Sequence, residues 1–230
     1  MTAPRVDRDH LVGCIKELAA RYVHKTGRAP RMLITFGGSA MALHGIRATS
    51  EDVDLYAPDP KLLSLARDVE RETGYTIDLT NKKNLMGDLV IKDIEEDAEV
   101  MERVEVLGQE VDIAAISPET LFVIKANTLR EKDRDDLFLI LPYTSWPKVI
   151  ARMATLWSQQ PSFEAEVMLS NTLSELQMVG ERVACLADFE GVPPEIMAQW
   201  APIIERDFPY VTAIQPPPDN DTNSRSGVRL

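Results

Sequence analysis

The sequence is poor in the features that mark several common protein classes. Only two of its 230 residues are cysteines, Cys14 and Cys185, and neither has a partner at the spacing of a metal-binding or redox pair. A disulfide scaffold and a cysteine zinc site are therefore not expected, and a reducing, cytoplasmic setting fits best. No stretch approaches about 18 uninterrupted apolar residues, so we expect no membrane span. The opening residues MTAPRVDRDH lack the apolar run of a secretory leader, so none is expected.

Aromatic residues and positive charge are also scarce. Aromatics make up 6% of the chain and the formal net charge is −12, which disfavours an ordinary nucleic-acid-binding module. The charge is uneven, however, because residues 1–50 carry a net charge of +5 and residues 51–120 carry −12. The composition is otherwise that of a soluble, core-forming protein, with 44% hydrophobic residues.

The periodicity of apolar residues predicts an α+β fold, with a small mixed β-sheet in the head and a helical C-terminal region. We expect the head over residues 1–141, the helical region over 142–212, and a disordered, proline-rich tail over 213–230. Strands are predicted at 32–36, 52–57 and 75–79, with a hairpin of 104–107 and 111–116 around Gly108-Gln109. Helices are predicted at 8–25, 40–44, 118–129, 132–141, 146–158, 162–188 and 194–207, and a further one runs from Pro60 to Gly74.

A glycine turn and a pair of acids stand close together in the head. Gly37-Gly38-Ser39 follows a predicted strand and opens a predicted helix, where backbone N–H groups can meet an anion. Asp52 and Asp54 follow on the next strand, and their spacing places both carboxylates on one face, roughly 7 Å apart. A phosphate cradle followed by paired acids predicts a site for a nucleoside triphosphate.

A third acid, Asp112, lies on a later predicted strand between Val111 and Ile113. Three carboxylates on one sheet face repel each other strongly unless cations neutralise them. Oxygen ligands without histidine or cysteine select Mg²⁺ or Mn²⁺. We therefore predict a metal site formed by Asp52, Asp54 and Asp112, which are also the predicted catalytic residues.

These motifs resemble the signature of the DNA polymerase β-type nucleotidyltransferase superfamily. Phe36-Gly37-Gly38-Ser39, a spacer, and Asp52-Val53-Asp54-Leu55 match its pattern, and Asp112 in E-V-D-I-A matches its third carboxylate. Ser117 to Leu121, Lys125 and the stretch R-E-K-D-R-D-D-L at 130–137 are similar to bacterial toxin nucleotidyltransferases of the abortive-infection AbiEii type and related families. The resemblance covers roughly residues 30–140.

The resemblance implies roles for individual residues. Gly38 and Ser39 would contact the triphosphate, Lys125 would pair with its β- or γ-phosphate, and Asp136 would position Lys125 or contact the nucleotide. The implied reaction is in-line attack of an acceptor hydroxyl on the α-phosphorus, with pyrophosphate leaving.

The acceptor stays open at this point. The toxin-type resemblance favours tRNA or a protein side chain, with an antitoxin as a further partner. Antibiotic modification is an alternative, because an acidic surface suits a cationic drug. A third hypothesis is that the chain has a nucleotidyltransferase fold but serves as a non-catalytic binding module.

Overall fold

The computed structural model describes residues 5–83, 89–128 and 130–211. The strands are β1 (Val6–Asp7), β2 (Met32–Thr35), β3 (Thr49–Ser50), β4 (Val53–Tyr56), β5 (Ile77–Thr80), β6 (Glu99–Val106) and β7 (Gln109–Ala115). The helices are α1 (Arg8–Thr26), α2 (Gly37–Leu43), α3 (Lys61–Thr73), α4 (Ile94–Asp97), α5 (Pro118–Thr128), α6 (Glu131–Ile140), α7 (Trp146–Trp157), α8 (Ser162–Val179) and α9 (Pro194–Asp207). The predicted α+β class is confirmed. The tail predicted to be disordered, 213–230, lies outside the described residues.

The main sheet is mixed, as expected, and has the strand order β5-β4-β2-β7-β6. Strand β2 lies at its centre, antiparallel to β4 and parallel to β7, and its residues Leu33, Ile34 and Thr35 are all buried. This burial on both faces explains why the strand reads as a continuous apolar run. Strands β1 and β3 form a separate two-stranded ribbon, which the sequence pattern did not predict.

Helix α1 shows why the amphipathic pattern predicts its bounds well. The Asp7 side chain accepts a hydrogen bond from the His10 backbone N–H at the N-terminus, and Gly27 ends the helix in the left-handed conformation. Its apolar stripe, including Leu11, Ile15 and Leu18, is fully buried. The helix packs against α3 and against the sheet through β6 and β7.

Some predicted details of the elements are wrong. Helix α2 begins at Gly37 and not at residue 40, so the glycine turn is the first turn of that helix. The turn of the β6–β7 hairpin is Leu107-Gly108, and Gln109 already pairs with Val106; both turn residues have positive φ, 51° and 76°, as a type I′ turn requires. Helix α8 ends at Val179, short of the predicted 188. Gly180 follows it and Glu181 adopts a positive φ of 50°, which stops the helix.

Helix α5 links the sheet to the C-terminal helices. It packs against α6, α7 and α8, and its residues from Thr120 to Ala126 are buried. This all-round burial includes Lys125, whose ammonium group therefore needs partners inside the protein. None of the helices in the described ranges is long and apolar enough to cross a membrane.

Candidate active site

The glycine turn is tied to strand β4 by the hydroxyl of Ser39. Ser39 Oγ accepts a hydrogen bond from the Asp54 backbone N–H at 2.9 Å and donates one to the Asp52 carbonyl oxygen at 2.9 Å. Ser39 is completely buried. Its hydroxyl therefore holds the turn against the acidic strand, and the role predicted for it at the triphosphate is not available to this hydroxyl while both bonds are made.

Gly38 brings the backbone of the turn against two side chains. Its N–H donates to Asp54 Oδ2 at 3.2 Å. A Cβ atom on Gly38 would lie 2.4 Å from Ser50 Oγ, well inside contact distance. Glycine is therefore required for this close approach between the turn and β3.

Asp54 lies at the centre of the acidic wall of the site. It is 7% exposed, and burial raises the pKa of its carboxyl to about 7, helped by the neighbouring charges of Asp52 and Asp78. Two anions next to a buried carboxyl make its ionised form unfavourable. A cation placed among these three side chains would remove that penalty.

Asp78 is a site residue that the sequence analysis missed. Strand β5 runs parallel to β4 and pairs Asp78 with Asp54, which puts both side chains on the same face. The sequence carries a signal for it, because I-D-L in β5 repeats the apolar-acidic-apolar pattern of V-D-L in β4. Pairing between the two strands was the missing information.

Facing the acids is a buried cation, Lys125, which is 4% exposed. Its Nζ lies 2.7 Å from Asp133 Oδ1 and 2.6 Å from Asp136 Oδ2. Asp136 Oδ1 also contacts Arg47 Nη1 at 3.3 Å. Helix α6 thus fixes the direction of the Lys125 side chain through Asp133 and Asp136.

Asp133 is the more deeply buried of the two partners on α6. Burial alone would raise its pKa, but hydrogen bonds from Lys125, Thr128 and Arg130 outweigh that effect, so the pKa is lowered. The Thr128 hydroxyl donates to Asp133 Oδ2 at 2.6 Å. The carboxylate therefore stays charged and accepts a charge-assisted hydrogen bond from Lys125 Nζ.

Strands β4 and β5, the glycine turn and helices α5 and α6 line one cavity of about 380 Å³. Its wall combines anionic and cationic side chains with the glycine turn: Gly38, Arg47, Ser50, Glu51, Asp52, Asp54, Asp78, Lys125, Arg130, Lys132, Asp133, Asp135, Asp136 and Leu139. The structure thus brings together the predicted residues Gly38, Asp52, Asp54, Lys125 and Asp136.

A larger cavity of about 430 Å³ lies at the other end of β2, between α1 and α3. Tyr22, Met32 and Leu62 are part of its wall, and none of the predicted site residues is. The smaller cavity is the better candidate because it has the buried, mutually repelling acids and a buried cation. Size alone does not identify a reaction site.

The structure does not bring Asp112 to Asp52 and Asp54. Asp112 pairs with Met32 at the start of β2, whereas the Asp54 carbonyl accepts from the N–H of Phe36, four residues further along. At about 3.3 Å per residue this separates the two acids by about 13 Å along the sheet. Asp112 instead forms an ion pair with Arg103, Nε to Oδ1 at 2.7 Å. The expected triad is corrected accordingly: strand register places Asp78, and not Asp112, beside Asp54.

The donor set suits a hard divalent cation. Asp52, Asp54 and Asp78 offer carboxylate oxygens, which Mg²⁺ and Mn²⁺ prefer. Within residues 5–83, 89–128 and 130–211, no three acidic, histidine or cysteine side chains already stand at metal-binding geometry. Mg²⁺ commonly binds through one or two carboxylates, water and substrate phosphates, so the acidic wall fits a metal that arrives with a nucleotide.

Residues 9–168 match the model of a protein family described as nucleotidyltransferase of unknown function (DUF6036). The match spans the glycine turn, the acidic strand, the Lys125 cluster and part of the C-terminal helices. No curated protein and no solved structure matches the chain.

Proposed function

Because the chain belongs to this family of nucleotidyltransferases of unknown function, we propose that it moves a nucleoside monophosphate from a nucleoside triphosphate to an acceptor hydroxyl, with Mg²⁺ or Mn²⁺ as cofactor. The family gives the reaction class, and the cavity at the glycine turn is where we propose that it occurs. The particular triphosphate is left open.

One observation carries this proposal: the mutually repelling carboxylates of the acidic wall, Asp52, Asp54 and Asp78, share one cavity with cationic side chains. The cations that line it include Arg47 and Lys125, which are already held by carboxylates of α6. A metal-bound triphosphate has the matching distribution, with a cation on one side and several phosphate charges on the other. A cation is needed among the three repelling carboxylates, and the cationic side chains nearby suit the phosphates that accompany it.

Different residues of the cavity have different parts in the proposed reaction. A divalent cation held by Asp52 and Asp54 would stabilise charge on the reacting phosphate and on the attacking and leaving oxygens. Lys125 supplies positive charge for the non-reacting phosphates, and Asp133 and Asp136 hold its Nζ in place before the substrate arrives. Asp112 has no part in this arrangement, since Arg103 neutralises it at the other end of the sheet.

We further propose that the acceptor is tRNA or a protein side chain, as in toxin-type enzymes, with an antitoxin as the natural regulator. The resemblance of residues 30–140 to toxin nucleotidyltransferases supports this. Arg130 and Lys132 also suit it, because both line the cavity while their side chains are 48% and 59% exposed. Exposed cations at the edge of a site are suited to the phosphates of an RNA acceptor.

The direct test measures which molecule receives label from an α-labelled triphosphate. The protein is incubated with Mg²⁺, total tRNA, cell lysate and each α-labelled triphosphate in turn, beside the Asp54→Asn variant. We expect label on RNA or protein with wild type only. Label on a small cationic molecule would instead indicate an antibiotic-modifying enzyme. Absence of any transfer, with triphosphate binding retained, would favour the non-catalytic module.

A further inference from the structure

The hydroxyl of Ser50 lies in the wall of the candidate active site with no assigned role. Ser50 is 1% exposed, and among the residues that the structure describes its Oγ has no hydrogen-bond partner. A buried hydroxyl without a partner costs free energy, and proteins keep few of them. The side chain nevertheless belongs to the lining of the cavity.

The surroundings of Ser50 indicate what kind of group would satisfy it. Two polar atoms lie close to the position that a Cβ atom on Gly38 would take: Ser50 Oγ is 2.4 Å from that position and Arg47 Nη1 is 3.8 Å from it. A hydroxyl donor and a guanidinium thus meet at a glycine that leaves room for close approach. Because all three residues line the cavity, donors of this kind are suited to the phosphate oxygens of a ligand there.

We infer that Ser50 donates a hydrogen bond to a non-esterified phosphate oxygen of the bound triphosphate, in a subsite that it shares with Arg47 and Gly38. This inference rests on the proposed function, because it names a contact of the same substrate in the same cavity. It also explains why the Ser50 hydroxyl is buried without a partner, since the bound ligand would accept its hydrogen bond.

A comparison with Ser39 shows why Ser50 is the hydroxyl that can bind a phosphate. Both hydroxyls are buried beside the same turn, but Ser39 already makes two hydrogen bonds to β4. Only a hydroxyl with unused donor capacity gains a bond when a phosphate arrives. Removing it should therefore weaken binding and leave the free protein at least as stable.

The test uses Mg²⁺ with inorganic tripolyphosphate, because this probe contains the phosphates and no base. Isothermal titration calorimetry compares wild type, Ser50→Ala and Thr35→Val, and melting temperatures are measured without ligand. Thr35 is the matched control. Its buried hydroxyl donates to the Ala114 carbonyl at 3.1 Å, and its side chain lies on the face of the main sheet opposite to Asp54.

We expect Ser50→Ala to bind tripolyphosphate about tenfold more weakly with an unchanged or higher melting temperature. Thr35→Val should melt lower and bind like wild type. Equal binding by wild type and Ser50→Ala would overturn the inference while leaving the triphosphate site in place. Failure of wild type itself to bind the probe would contradict the proposed function instead.

Discussion

Asp54 and Asp112 are two acids of the same sheet with opposite surroundings. Both come from an apolar-acidic-apolar strand pattern, and by register both lie on the same face of the sheet. Asp54 is buried at the cavity, beside two further carboxylates, and its pKa is raised to about 7. The Asp112 side chain is 22% exposed and is neutralised by Arg103.

The contrast shows that a candidate catalytic acid is recognised by the charges that surround it. Asp54 has anions as neighbours and a backbone N–H from Gly38 as its hydrogen-bond donor, so its charge is left for a ligand to neutralise. Asp112 already has a cation beside it, so a metal gains little there. Variants at Asp54, Lys125, Ser39 and Asp112 test this contrast.

Replacing the central acid should have the largest effect. We expect Asp54→Asn to abolish nucleotidyl transfer, a loss on the order of a thousandfold, because the group that we propose holds the cation against the reacting phosphate loses its charge. Without metal the same variant should melt no lower than wild type, since one of three repelling carboxylates is gone. Label transfer with Mg²⁺ and thermal melting without it measure the two effects. Unchanged transfer would remove Asp54 from the reaction.

The buried cation should matter most for folding. Lys125→Met removes one partner of a buried ion cluster and leaves Asp133 and Asp136 without their ammonium group, which is expected to lower the free energy of unfolding by about 3 kcal/mol. The control is Lys132→Met, whose exposed pair with Glu51 at 3.0 Å contributes about 0–1 kcal/mol. Urea denaturation of both variants gives the difference. Similar losses for the two would show that Lys125 is not held as the structure indicates.

The hydroxyl that joins the turn to the acidic strand should have a moderate effect. Ser39→Ala leaves the buried Asp54 N–H without its acceptor, so we expect a loss of about 1–3 kcal/mol in the free energy of unfolding. Because the same bond positions Asp54, transfer should fall as well, measured as kcat at saturating triphosphate. Loss of transfer with full stability would instead assign Ser39 a direct contact with substrate.

The smallest effect is expected at the other end of the sheet. Asp112→Asn breaks a partly exposed ion pair, so its free energy of unfolding should change by less than about 1 kcal/mol and its transfer rate should remain close to that of wild type. This variant is also the control for Asp54→Asn, since it removes the same charge from the same sheet face. A transfer loss as large as that of Asp54→Asn would contradict the observed register and restore the originally expected triad.

The sequence predicts the helices and strands of this molecule better than it predicts which strands pair and in what register. Local patterns are sufficient for the glycine turn, for Asp52 and Asp54, and for the helix that carries Lys125. Strand pairing is not local: nothing in the sequence around Asp78 or Asp112 states which residue of a distant strand lies opposite. The same limit applies to the β6–β7 turn, where Leu107 adopts a positive φ that sequence preference disfavours.

The parallel pairing of β2 with β7 has a consequence for how the protein folds. Thr35 and Ala114, bonded across that pair, are separated by 79 positions, and the Arg47–Asp136 contact across the cavity spans 89. Contacts of such separation form after local hairpins and helices, because a long loop must close first. During synthesis and refolding we therefore expect the acidic strand to form before helices α5 and α6 reach it, so that the candidate site is completed among the last steps of folding.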